Sequence, residues 1–177
     1  MSAYLLILVA LLSRVVVLPH VAWLNFTAVG GSLLYFGARR PLRQAMIPVA
    51  LMAATDYYLT VYAYSYPFHI TAYLVTWAWY AGVVLFGHYL LAKQVSAMRV
   101  GSAILAAPTS FFLITNFAAW VGSPLYPQTF AGLGMSYVAG FPFYRNDLIS
   151  TALVAGLAFG LPALTRQFTA HNQVAGA

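Results

Sequence analysis

The chain has 177 residues, 63% of them hydrophobic and only 6% charged, with eight Lys and Arg against two acids and no cysteine. A water-soluble domain carries about 25% charged residues, so this composition excludes a water-facing globule and reads as an all-α polytopic membrane bundle. The missing cysteines exclude disulfides, thiolate metal sites and cysteine nucleophiles.

In chain order, about 20 residues per bilayer crossing predict spans over 2–18, 26–38, 45–64, 71–92, 100–121 and 147–164. They form one six-helix domain over 1–166, with a short polar tail over 167–177. The first run lacks a basic start and a small-residue cleavage site, so it reads as a retained span rather than a signal peptide. The second has about 13 residues, a length at which a re-entrant or buried helix is the alternative to a crossing. Arg39, Arg40 and Arg43 follow it, Lys93 and Arg99 separate spans four and five, and Arg166 follows span six. By the positive-inside rule these ends are cytoplasmic, as are both termini, in the cell's inner membrane.

That topology also accounts for the net charge of +6 without a nucleic-acid partner. Three arginines over 39–43 fall short of the cluster of about four to eight that reads as phosphoinositide binding. Between spans five and six, Gly122 to Arg145 carries three prolines and four glycines. It reads as an outer lid, with an interfacial helix over Gln128 to Gly140.

The acid Asp56 falls in the middle of an apolar run. An ionisable group at the centre of a span costs about 2.5 to 3.5 kcal/mol on insertion scales and usually faces a protein interior, a cavity or a partner. Depth along alternating helices, at about 1.5 Å per residue, brings other polar residues to the same outer half: Arg14, Asn25 and Thr27, Thr60, Thr76 and Trp77, Asn116, and Asn146 with Asp147. The economical reading is an outward-facing polar pocket for a small molecule, lined by Arg14, Asn25, Asp56, Thr60, Trp77, Asn116, Trp120 and Asn146. The plainer alternatives are an Arg14–Asp56 pair that only joins helices, an Asn116 that hydrogen-bonds across spans, and an Asp147 that caps the start of span six.

No two histidines have metal-ligand spacing and no carboxylate neighbours them in sequence, so a protein-only metal site is not expected. His20 and His69, in outer loops, are the weaker candidates for a single axial ligand to a metal-centred cofactor. No Gly-x-Ser-x-Gly elbow is present, and no enzymatic activity or resident cofactor is expected. Small-residue patterns at Ala152-x-x-x-Gly156-x-x-x-Gly160 and Ala50-x-x-x-Ala54 permit close helix approach and are read as internal packing faces, with a partner surface as the alternative.

Two strings carry a resemblance. Arg14 to His20, Asn25-Phe26-Thr27, Gly30, Phe36-Gly37 and Asp56 form the first. Thr115-Asn116-Phe117, Trp120, Tyr126-Pro127-x-Thr129-x-x-Gly132-Leu133, Tyr137, Pro142-Phe143 and Asn146 form the second. Together they resemble an uncharacterised family of bacterial six-span membrane proteins, with Ser150-Thr151 standing where that family's pattern suggests Gly-Asp. More distantly, the architecture is similar to the S components of energy-coupling factor vitamin transporters. That likeness implies capture of a vitamin or cobalamin-like corrinoid and delivery through a transmembrane coupling protein and ATPases, with membrane lipids as surroundings. The Ala-x-x-x-Ala coupling motif of those proteins is missing, Ala3 and Ala10 being seven apart. A non-transporting accessory subunit of a larger membrane complex is the competing class.

Overall fold

Apolar stripes at helical spacing set the first contacts. Ala3, Ile7 and Ala10 are buried on one face of the first helix while Leu5, Leu8 and Leu12 are exposed, and Arg14 continues the buried stripe at the next step of four. In a computed structural model describing residues 1–16 and 23–175, with side chains described through residue 165, the protein is all-α. Its helices are α1 (Ser2–Val16), α2 (Val29–Arg39), α3 (Met46–Tyr58), α4 (Ile70–Leu91), α5 (Ala97–Gly122) and α6 (Phe130–Ala175). A 3-10 turn at Leu42–Gln44 precedes α3, and a π-helical turn at Leu59–Ala63 follows it.

Three helices, α4, α5 and α6, are long and apolar enough to cross a membrane. Many large apolar side chains, Leu105, Leu153 and Leu157 among them, are left on the surface. Lipid is the solvent that suits them.

The short second segment is the centre of the fold. Residues Val29 to Ala38 are all buried, and α2 packs against α1, α4, α5 and α6. Eleven residues rise only about 16 Å, against a hydrocarbon core of about 30 Å, so α2 by itself is a buried core helix. Glycine makes its seat on α4 possible. A Cβ at Gly37 would collide with the Val84 carbonyl, and one at Gly87 with the Leu34 carbonyl, so the two backbones meet directly over about one helical turn.

Two expectations need correction here. The segment predicted as a lid is largely the first turns of α6, which runs unbroken from Phe130 and packs along α5. Its start is fixed by the Tyr126-Pro127-x-Thr129-x-x-Gly132 string: the Thr129 hydroxyl accepts from the Gly132 N–H at 3.1 Å, the N-cap arrangement. A Cβ on Gly132 would strike the Pro127 carbonyl. Pro142 lies inside the helix, where its ring removes one backbone donor without ending it. Among the described residues no glycine has positive φ, so nothing interrupts the helical run.

The small-residue patterns also face the other way from the expected packing. Nothing lies within 4 Å of a Cβ built on Gly156 or Gly160, and Ala50 and Ala54 are exposed. Packing uses Thr151, Ala155 and Phe159 instead, the buried face of α6.

Candidate functional site

Asp56 belongs to the inward stripe of α3, after Val49 and Met52. Its side chain is 5% exposed and forms an ion pair with Arg14 of α1, itself 13% exposed. Arg14 Nη2 donates to Asp56 Oδ1, and Nη1 donates to the Met52 carbonyl at 3.1 Å and to Thr55 Oγ1 at 2.5 Å. From α4, Trp77 Nε1 donates to Asp56 Oδ2 at 2.8 Å. The carboxylate is therefore held by two other helices, as a charge buried this deeply requires.

The π turn begins three residues beyond Asp56. Thr60 Oγ1 donates to the Asp56 carbonyl at 2.7 Å, and its hydroxyl also bonds the Tyr73 hydroxyl. A π turn widens the helix and recurs at functional sites. Here it places Thr60 and Tyr64 beside Arg14 in a cavity of about 210 Å³, whose lining also includes Asn25, Thr27 and Tyr73. Behind it stand stacked rings: Phe68 on Tyr73, centroids 5.0 Å apart, and Tyr73 on Trp77, 6.0 Å apart.

Asn25 occupies the turn Trp23–Phe26, closed by the Phe26 N–H on the Trp23 carbonyl at 2.8 Å. Its φ of 63° is left-handed backbone, which Asn tolerates better than most residues. Asn146 reaches across from α6 and donates to the Leu24 carbonyl at 3.0 Å, pinning this turn. Asn25 thereby lines a second cavity as well, of about 250 Å³, with Asn116, Thr115, Gly140 and Tyr144.

Of the predicted residues, Arg14, Asn25, Asp56 and Thr60 meet at the first cavity, with Trp77 directly behind the carboxylate. Asn116 lines the second cavity, its Nδ2 donating to the Phe112 carbonyl at 2.8 Å and its amide resting on Gly140. Asn146 acts on the turn rather than on a cavity. Trp120 is elsewhere: its Nε1 donates to the Pro127 carbonyl at 2.8 Å, fastening the α5–α6 turn.

Asp147 does not cap a helix. It is buried well inside α6 and accepts from Thr151 Oγ1 at 3.3 Å, because the helix starts at Phe130 and leaves no free backbone N–H at Asp147. Exposed His69 precedes α4 and lines neither cavity, while His20 lies outside the described residues. No group of three or more His, Asp or Glu side chains is placed to hold a metal among the described residues.

Tyr73, Tyr64 and Thr55 were missed in the sequence reading. Tyr73 precedes Trp77 by one helical turn, the spacing that could have found it; Tyr64 and Thr55 carried no such signal.

Two larger crevices, about 530 and 430 Å³, are lined mainly by apolar side chains. In the first, the Ser110 hydroxyl already accepts from Trp79 Nε1 at 3.0 Å. Neither has a polar lining like that of the cavity beside Arg14 and Asp56.

What these helices and cavities define is an all-α protein with apolar helices suited to a membrane and a buried ion pair beside a polar cavity. The chain matches, over residues 1–173, the Family of unknown function (DUF6580), and belongs to it. No curated protein and no solved structure matches it.

Proposed function

We propose that this protein is a membrane-embedded small-molecule binding and uptake protein, similar in plan to an S component. It is a multi-pass protein of the inner membrane with α2 buried in its core, both termini cytoplasmic and the Arg14–Asp56 end outward. The observation that carries the reading is the polar cavity against that ion pair. Three of the five guanidinium N–H groups are engaged by Met52, Thr55 and Asp56. Among the described residues nothing further engages the other two, which leaves them for a carbonyl or carboxylate of a ligand, and Asn25, Thr27, Thr60, Tyr64 and Tyr73 supply further polar contacts.

Size narrows the ligand class. Pockets for drug-sized ligands run from about 300 to 1,000 Å³, and each cavity here is smaller. A compact polar micronutrient suits them better than a corrinoid macrocycle, and Asp56 offsets the Arg14 charge, which favours a neutral or zwitterionic ligand. Delivery by a coupling protein and ATPases belongs to the same proposal.

The accessory-subunit reading draws on the same array. A carboxylate engaged on both oxygens is also what helix-joining requires. Mass spectrometry of small molecules released from the detergent-purified protein separates the two. The uptake reading expects one compound, recovered from wild type and lost from Thr60→Val/Tyr73→Phe, a variant that leaves the ion pair intact. Lipid alone, across several growth media, overturns it.

A further inference from the structure

At the opposite end of the bundle, folding assembles a cationic recess that the sequence run 39–43 does not contain. Arg39 closes α2, and Lys93 lies two residues beyond α4. They share a cavity of about 400 Å³ with Phe159, Pro162 and Ala163 of α6. The Arg39 guanidinium is held by rings, 5.5 Å from the Tyr35 centroid and 5.8 Å from that of Phe159; the two rings are themselves 5.1 Å apart. Two neighbouring cations are committed elsewhere. Arg40 Nε donates to Gln44 at 2.7 Å, and Arg99 Nη1 to the Leu90 carbonyl at 3.1 Å.

Neither acidic side chain is available to neutralise the recess. The two that exist are Asp56, paired with Arg14, and Asp147, hydrogen-bonded to Thr151. Helix dipoles explain part of the arrangement, since cations suit helix C-termini. Two such termini carry roughly half a negative charge each, against two full positive charges, so a net positive field of about one charge remains.

We infer that this recess binds the phosphate of an acidic phospholipid headgroup, with Arg39 and Lys93 as its two cationic contacts. The flat guanidinium offers paired donors matched to phosphate oxygens, and the ammonium supplies a second point charge. Phe159, Pro162 and Ala163 give an apolar wall along which the glyceride end of a lipid lies. A free phosphate ester shares the recognition chemistry but makes no use of that wall.

Native mass spectrometry of the full chain in detergent tests the inference, with phosphatidylglycerol, phosphatidylcholine and inorganic phosphate as separate probes. Phosphatidylglycerol is expected to be retained over phosphatidylcholine. Arg39→Gln and Lys93→Gln are each expected to lower that retention about fivefold, the loss of one cation at a lipid surface, whereas Arg43→Gln leaves it within about twofold. Should Arg39→Gln fail to fold, Lys93→Gln carries the comparison. Equal retention of the two lipids, or an equal loss with Arg43→Gln, overturns the site. Binding of inorganic phosphate without selective lipid retention overturns the lipid assignment.

Discussion

Asp56 accepts from α1 through Arg14 and from α4 through Trp77, so one carboxylate joins three helices. Removing one partner of a buried ion pair costs about 3 to 5 kcal/mol, because a charge is stranded, whereas replacing both by apolar residues is often neutral. Arg14→Ala and Asp56→Ala are therefore expected each to lower the thermal unfolding midpoint in detergent strongly, while Arg14→Leu/Asp56→Leu recovers most of the loss. Additive losses in the double variant would mean the pair is not coupled. Trp77→Phe keeps the ring but leaves Oδ2 without its donor, and a loss of about 1 to 3 kcal/mol is expected in the same assay. The pair was legible in the sequence because an acid in an apolar run demands a partner and depth offered Arg14. The third partner's role was less legible: Trp77 was read as a pocket residue, and only the rotation of α4 shows that its indole N–H meets the carboxylate.

Helix α2 is too short to cross a bilayer alone and too buried to be a surface helix, and its contact with α4 depends on two glycines. Gly37→Ala and Gly87→Ala each push a methyl group into a facing carbonyl, a backbone clash with no flexible side chain to yield. Overpacking of this kind typically costs about 1 to 3 kcal/mol. Both variants are expected to unfold earlier on heating in detergent, while Gly156→Ala, which meets nothing within 4 Å, unfolds with wild type. A Gly156→Ala loss equal to that of Gly37→Ala would contradict this packing. Sequence patterning pointed to the wrong seams because repeats such as Ala152, Gly156 and Gly160 are visible on one helix. Gly37 and Gly87 become partners only when α2 lies on α4. Likewise Pro142 and four glycines suggested a loop, yet none of those glycines takes positive φ, and the Thr129 cap starts a helix that continues past them.

Across the whole molecule, the two ends differ in chemistry. One holds the ion pair and the two cavities joined at Asn25; the other holds Arg39, Lys93 and the aromatic clamp. The proposed orientation follows from the distribution of Lys and Arg, and the absence of cysteine permits a direct check with single cysteines. Lys93→Cys is expected to react with an impermeant thiol reagent only in inside-out vesicles, and Tyr126→Cys only in intact cells; the reverse pattern would invert the orientation. The general gathering of Arg14, Asn25, Asp56 and Thr60 was legible from helix direction and depth. The division into two cavities was not, because it rests on the left-handed turn at Asn25 and on the Asn146 tether, neither of which has a signature in a single sequence.

The central claim is an outward-opening polar cavity that holds a small ligand. Thr27 lines that cavity without taking part in the ion pair. Labelling of Thr27→Cys in intact cells with a small impermeant thiol reagent tests the claim most directly. The expected result is labelling from outside, slowed by the compound that co-purifies with wild type. Labelling from the cytoplasmic side alone, or labelling that the compound leaves unchanged, would contradict it.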